Sequence, residues 1–112
     1  MATINSDWVD RPLKAMLAVS QGVKKEAFTV LKAIERDPSS FDELQDLPDE
    51  FAIPPGVAIR KAAVINRKHD YRIIFLHRVL DDESEHVDLL FIFKRKDGYK
   101  IDWEWIASLL EE

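Results

Sequence analysis

Apolar residues recur at helical spacing in the first third of the chain. One stripe runs through residues 23–36 with polar side chains opposite it, and its members are Val23, Ala27, Val30, Leu31 and Ile34. This period predicts an amphipathic helix, which Pro38 ends because its ring disfavours the helical conformation at the preceding residue. Asp10 and Pro12 are typical of an earlier helix start. A second helix is therefore expected before Gly22, and the short link between the two predicts an antiparallel helical hairpin.

Strand patterns dominate the rest of the chain. Residues 57–65 alternate imperfectly between apolar and polar. Two runs rich in β-branched and aromatic residues lie at 71–80 and 87–95, and a polar hairpin loop at 81–86 separates these two. The last two runs are apolar on both faces. Each face of the predicted sheet is therefore expected to be covered.

Shorter segments flank these strands. Residues 39–56 are rich in acidic side chains and proline, which predicts a loop with one helical turn at 41–47. After Asp102, apolar residues return at helical spacing over 103–110 and predict a terminal helix. Helices first and strands later are typical of an α+β fold. We predict one domain over residues 1–112, in which an N-terminal helical hairpin packs on a small antiparallel sheet and a short C-terminal helix follows.

Composition narrows the classes of function. The 112 residues include no cysteine, which excludes disulfides, thiolate metal sites and a cysteine nucleophile. No apolar run has the length of a membrane helix, and the first residues lack the features of a signal peptide, so a cytoplasmic location is expected. The three histidines lack metal-ligand spacing and the three glycines form no phosphate loop. We therefore expect no metal and no cofactor.

Charge is segregated along the chain, although the net charge is -5. Acidic residues gather at 35–50 and 81–88, whereas basic residues gather at 60–78 and 94–100. Segregated charge can form a patch in the folded protein. The stretch 93–100, FKRKDGYK, places four cations in eight residues. It is either a solvated turn at a strand end or a binding site for a polyanion.

Four pieces of the sequence, taken in order, resemble the toxins of the RelE/ParE superfamily, the small toxic partners in bacterial type II toxin–antitoxin pairs. VDRPLKAMLAVSQGVKKEAFTVLKAIERDP is similar to their helical hairpin, and LQDLPDEF is similar to the link that follows it. DYRIIFLHRVLDDE resembles their central strand with its Tyr-Arg start, and LLFIFKRKDGY resembles their last strand with its Lys-Arg end. The likeness covers about residues 9 to 100.

The resemblance implies a toxin with a cognate antitoxin as its partner and, in the RelE branch, an endoribonuclease (an mRNA interferase) that cuts mRNA on the ribosome. Such enzymes work through cations and a tyrosine on the sheet. The Tyr-Arg arginine corresponds to Arg72 and the Lys-Arg arginine to Arg95. Lys61 is the candidate lysine of the preceding strand, and Tyr99 takes the tyrosine's place if a local gap is allowed. Other RNA-binding candidates are Arg60, Lys94 and His69.

Cleavage of RNA by its own 2′-hydroxyl needs a base, neutralisation of the charge that builds on phosphorus, and a proton for the leaving oxygen. Arginine suits the second task because its planar fork can hold two phosphate oxygens. A lysine or a tyrosine can serve the first task. The structural alternative for Arg72 is that its stem covers apolar neighbours on the sheet.

Two other functions stay open. The acidic net charge and the Trp-rich segment after Lys100 favour a non-catalytic interaction module that keeps the fold and binds a protein partner. The ParE branch, which inhibits DNA gyrase, is the third possibility. The placement of three side chains separates the endoribonuclease from the interaction module, since an endoribonuclease requires Arg60, Arg72 and Arg95 to converge. The expected partners are an antitoxin and, for the enzyme, the ribosome with its mRNA; no membrane partner is expected.

Overall fold

The computed structural model describes residues 2–4, 21–44, 47–48, 51, 53–66, 69–94 and 103–110. Its elements in chain order are β1 (Thr3–Ile4), α1 (Gln21–Arg36), a 3₁₀ turn (Pro38–Ser40), β2 (Val57–Asn66), β3 (His69–Val79), β4 (Glu85–Lys94) and α2 (Trp103–Leu110). The fold is α+β, as the hydrophobic pattern predicted. The first helix of the expected hairpin falls before Gln21 and lies outside the described residues.

The strands form one sheet in the order β1-β4-β3-β2. β2, β3 and β4 are consecutive antiparallel neighbours, which confirms the predicted pairing of the two long apolar strands. β1 differs, because it pairs with β4 in parallel through Thr3↔His86 and Ile4↔Val87. A parallel pair needs a long crossover connection, and here the whole chain between β1 and β4 supplies it. The prediction of a purely antiparallel sheet is wrong for this one short strand.

α1 packs its apolar stripe on one face of the sheet, which we call the α1 side. Gly22 lies in the first turn of this helix, and the predicted helix end before Pro38 is confirmed. Ala27 and Ile34 of the predicted stripe are fully buried. The buried cluster on this side consists of Ala2, Ala27, Ile34, Ala62, Val64, Tyr71, Ile73, Phe75, Val87 and Leu89.

The opposite face, the α2 side, has a second core. Its buried cluster consists of Leu44, Ile59, Ile74, Leu76, Leu90, Phe91, Ile106 and Leu109. The rings of Trp103 and Phe51 meet edge to face at 4.9 Å, and those of Trp105 and Phe91 do so at 5.3 Å. These two tryptophans therefore serve packing, and α2 covers this face as the pattern predicted. None of the helices described here is long and apolar enough to cross a membrane.

A bulge in β4 explains how two successive residues enter the same core. Ile74 pairs with Phe91 and Phe75 pairs with Leu89, which leaves Leu90 as the extra residue. Successive side chains of a regular strand point to opposite faces. The extra residue breaks this alternation, and Leu90 and Phe91 are both buried on the α2 side.

The segment after the 3₁₀ turn adds to the edge of β2. Lys61 N donates to Asp42 O at 3.0 Å, Leu44 N donates to Ile59 O at 2.7 Å, and Glu43 forms a β-bridge with Arg60. The expected helical turn at 41–47 is therefore wrong in its described part. An unpaired strand edge offers free N–H and C=O groups, and pairing with them also lets Leu44 bury its side chain on the α2 side.

Candidate functional site

The candidate arginines Arg60 and Arg72 lie on opposite faces of the sheet. Arg60 is paired in register with Phe75, a member of the α1-side core. Arg72 alternates along β3 with Ile74, two positions away, which belongs to the α2-side core. Directly paired residues of an antiparallel ladder share a face. The register therefore separates two cations that an RNA-cleaving site would bring together.

Arg60 is held by groups from two other segments of the chain, the stretch 41–43 and β3. Its Nη1 donates to Phe41 O at 2.7 Å, and its Nε donates to His77 Nδ1 at 3.3 Å. Its Nη2 lies 4.0 Å from Glu43 Oε1, and only 15% of the side chain is exposed. This guanidinium is engaged inside the molecule, where it ties the 42–44 segment to β2 and β3.

His77 extends this network to β4. The side chain is buried, and its Nε2 lies 3.0 Å from Glu85 Oε1. Because an arginine Nε can only donate, His77 Nδ1 accepts from Arg60, and Nε2 then carries the hydrogen that goes to Glu85. The chain Arg60–His77–Glu85, which we call the α1-side network, crosses three adjacent strands. Such a satisfied buried network rigidifies the sheet.

Arg72 has more local partners. Its Nη1 donates to Asp70 Oδ1 and, at 3.1 Å, to Tyr71 O. Asp70 keeps 36% of its side chain exposed, whereas Arg72 keeps 16%. Lys61 pairs with Ile74, and Ala63 pairs with Arg72, so Lys61 is the diagonal neighbour of Arg72 on the α2 side. Diagonal neighbours lie about 7–8 Å apart, so these two predicted site residues are brought to one face.

A second ion pair on the α2 side joins Arg78 to Asp88, and sequence reasoning missed it. Arg78 Nη2 donates to Asp88 Oδ2, and the Asp88 side chain is only 1% exposed. The signal was present, since Asp88 is the one acidic residue inside the apolar run VDLLFIF. A buried carboxylate needs a partner. Arg78 Nε is buried without a hydrogen-bond partner, although 29% of the Arg78 side chain is exposed.

The remaining predicted site residues are placed by backbone alone or not at all. Lys94 is the register partner of Tyr71, and His69 is the register partner of Asn66. Arg95 and Tyr99 lie outside the described residues, so their predicted roles stay predictions. Sequence position puts Arg95 two residues beyond Phe93, which pairs with Arg72.

A polar cleft lies beside the covered edge of β2. Its lining consists of Ser39, Ser40, Phe41, Asp42, Glu43, Arg60 and Lys61. Two acidic and two basic side chains line this cleft, and Arg60 is already bonded within the molecule. Across the described ranges, no three His, Asp or Glu side chains gather as a metal site requires.

One carboxyl group has a clearly shifted pKa, and it lies in the β3–β4 loop. The Ser84 hydroxyl donates to Asp82 Oδ1 at 2.6 Å, and the Ser84 backbone N–H donates to the same oxygen at 3.0 Å. These two bonds, the hydroxyl first, lower the pKa of Asp82 below its usual value because they stabilise the charged form. Asp82 lies beyond the end of β3 that is remote from Arg72, and the bonds that lower its pKa come from within the loop.

Taken together, the fold and these contacts define a small α+β protein with a helix layer on each face of a four-stranded sheet. Comparison with known protein families, with curated proteins and with solved structures finds no match to this chain.

Proposed function

We propose that this chain is a RelE/ParE-like member of a toxin–antitoxin pair that acts as a non-catalytic module and binds a partner protein. The order of its described elements supports the proposal, since a helix and a three-strand antiparallel meander follow one another as the resemblance implies. The segregated charge supports a partner of opposite charge, because complementary potentials steer association.

The main support for a non-catalytic function is the separation of Arg60 from Arg72. Electrostatic catalysis of phosphodiester cleavage requires donors aimed at one developing charge. Arg60 lies on the α1 side and is bonded to Phe41 O and His77, while Arg72 lies on the α2 side and is bonded to Asp70. Two of the three arginines that the enzyme requires are thus engaged on different faces.

A second candidate, an mRNA-cleaving toxin, is favoured by a different observation. Lys61 and Arg72 share the α2 side on neighbouring strands, and Arg95 follows Phe93, the register partner of Arg72, by two positions in the sequence. The Asp70 side chain that holds Arg72 is 36% exposed, and a phosphate can replace a carboxylate on a guanidinium. In this alternative Arg72 and Arg95 clamp the phosphate, and Lys61 or Tyr99 serves as the base.

Inducible expression in bacteria, with growth recorded and mRNA 5′ ends mapped, tests the choice. The non-catalytic module is expected to leave mRNA ends unchanged, and purification from the native host at native expression levels is expected to recover a second protein. New mRNA ends would instead support the enzyme, provided that Arg95→Ala and Arg72→Ala remove them.

Two matched controls make this assay specific. Lys96→Ala removes a neighbouring cation of the same stretch, and Lys32→Ala removes an exposed cation of α1. Neither is expected to change growth or mRNA ends. Recovery of this chain alone from the native host would contradict the proposed partner. Plasmid supercoiling measured in the same cells reports gyrase inhibition, the ParE-like activity.

A further inference from the structure

His77 lies at the centre of the α1-side network, between one cation and one anion. Its Nδ1 accepts from Arg60 Nε at 3.3 Å, and its Nε2 donates to Glu85 Oε1 at 3.0 Å. The His77 side chain is buried, so both ring nitrogens have their partners inside the molecule. This arrangement requires the neutral ring, because an imidazolium carries hydrogen on both nitrogens and can no longer accept.

The charged groups that reach His77 come from the two neighbouring strands. Arg60 approaches from β2 and Glu85 from β4. Within β3, the neighbours of His77 on the same face, Phe75 and Val79, are apolar. The charge balance around the ring is therefore set by one guanidinium on one side and one carboxylate on the other.

Other titratable groups near this region lie behind these two or elsewhere. His86 is the register partner of Arg78, so it faces the α2 side. On α1, Glu35 is half-buried and the other charged side chains that the structure describes are exposed, and no ion pair joins any of them to the ring. Glu43 lies beyond Arg60, 4.0 Å from its Nη2.

A proton added to His77 Nδ1 acts on the two partners in opposite ways. It places an N–H opposite the Arg60 Nε–H, so this hydrogen bond is lost and two positive groups meet across the distance of 3.3 Å. Towards Glu85, the imidazolium and the carboxylate form a charge-assisted hydrogen bond, which is stronger than the neutral one. The charged ring therefore keeps Glu85 and repels Arg60.

Arg60 is also the side chain that ties the 42–44 segment to the sheet. Its Nη1 donates to Phe41 O at 2.7 Å, and its Nη2 faces Glu43. The three guanidinium nitrogens form one rigid plane. A guanidinium that turns away from His77 therefore also disturbs its contacts with the segment.

We propose that uptake of a proton by His77 releases Arg60 and loosens the 42–44 segment from the edge of β2. The neutral ring keeps the chain Arg60–His77–Glu85 closed, and the charged ring keeps only the pair His77–Glu85. The fold thus contains a pH-sensitive switch, in which acid makes backbone groups of β2 beneath the segment accessible. The inference goes beyond the proposed function and is independent of it.

NMR on the purified full chain, over a pH titration, tests the switch. The ring signals of His77 report its tautomer and its protonation, and hydrogen exchange of the Lys61 and Leu44 amides reports the two backbone bonds between β2 and the segment. The protection of both amides, corrected for the intrinsic pH dependence of exchange, is expected to fall about tenfold as His77 takes up its proton, because one hydrogen bond made by a charged group is lost. The Val79 amide, which bonds to Gly56 O, should keep its protection.

His77→Gln is the specific variant, because glutamine does not titrate but can accept from Arg60 and donate to Glu85. Both amides should then stay protected throughout the titration. His86→Gln is the matched control and should keep the pH dependence of the parent chain. Glu85→Gln removes the charge that stabilises the imidazolium, so the loosening should need a lower pH; this variant tests the switch even if His77→Gln folds poorly.

Three results of the exchange experiment would overturn the proposal: protection that stays constant while His77 titrates, a pH dependence that survives in His77→Gln, or one that disappears in His86→Gln. A neutral ring with its hydrogen on Nδ1 would also overturn it, because Arg60 could not then donate to that nitrogen. The experiment needs neither a partner nor RNA. The expression assay and the native co-purification test the proposed function separately.

Discussion

The two faces of the sheet use their charged residues differently. On the α1 side, Arg60 bonds to His77, which bonds to Glu85, so that one network joins three strands and the 42–44 segment. On the α2 side, Arg72 bonds to Asp70 and Tyr71 O in its own strand. A charge held by several elements stabilises the fold, whereas a charge held by its own strand can exchange its partner for a ligand.

Each face also contains a buried polar group, and the consequences differ. His77 on the α1 side has bonds to both ring nitrogens. Asp88 on the α2 side is paired with Arg78, whose Nε has no partner. The α1 side is thus the better satisfied of the two. Substitutions that remove one charge at a time can test this contrast.

The largest effect is expected from Asp88→Ala. Removing one partner of a buried ion pair leaves the other charge uncompensated, at a cost of about 3–5 kcal/mol in the free energy of unfolding. Urea denaturation followed by circular dichroism measures this loss. Asp81→Ala, an exposed acidic residue of the β3–β4 loop, is the control and should change stability by no more than about 0.5 kcal/mol. A loss below about 1 kcal/mol for Asp88→Ala would mean that the pair is not desolvated.

A smaller loss is expected from Arg60→Met, which keeps the length of an apolar stem. The variant leaves Phe41 O and His77 Nδ1 without their donor, at a cost of about 1–3 kcal/mol. The same denaturation experiment measures it, and Lys32→Met, an exposed cation on α1, serves as the control. If Arg60→Met is as stable as the parent chain, the α1-side network is not structural and Arg60 returns to the list of candidate ligand-binding residues.

Arg72→Met should cost less than Arg60→Met, about 0–1 kcal/mol, because an ion pair with a carboxylate that water reaches contributes little. The difference between these two variants is the direct measure of the contrast between the faces. Equal losses in the free energy of unfolding for Arg72→Met and Arg60→Met would show that the two faces do not differ in this way. In the expression assay, a phenotype that disappears with Arg72→Met while the melting temperature stays unchanged would support a ligand-binding Arg72.

The smallest effect lies in the β3–β4 loop. Ser84→Ala removes the hydroxyl that holds the Asp82 carboxylate, so the pKa of Asp82 should rise towards its usual value. A lowered pKa contributes stability above the unfolded pKa that is lost as pH falls through the folded pKa. The variant should therefore lose less stability on acidification than the parent. Carboxyl titration by NMR measures the pKa, and Ser39→Ala should leave it unchanged.

The amphipathic stripe of α1, the two long apolar strands and α2 could all be predicted from the sequence. In each, the hydrophobic period is strong and local, and the two-sided apolar pattern of β3 and β4 predicted that both faces would be covered. The 41–47 turn was predicted wrongly, since the free edge of β2 is a distant feature that no local pattern reveals. Leu44 follows that edge and buries its side chain instead of forming a helical turn.

The candidate site, too, could be predicted from the sequence only in part. The residue types and the Tyr-Arg and Lys-Arg positions were visible in the sequence, and so was the charge segregation. The sequence did not show which face of the sheet each cation lies on. Side chains alternate between the two faces within one strand, but this alternation does not relate one strand to the next. That relation depends on register, and a shift of one residue moves every side chain of a strand to the opposite face.

The sequence by itself determined the helices and strands, their order and the positions of the charged residues, because these follow from periodicity and residue chemistry. Only the tertiary structure decided that Arg60 and Arg72 lie on opposite sides, that Arg78 pairs with Asp88, and that residues 42–44 pair with the edge of β2. These are outcomes of strand register and of the competition for buried hydrogen bonds. Both are settled between segments far apart in the chain, where each polar group must find a partner as the two cores close.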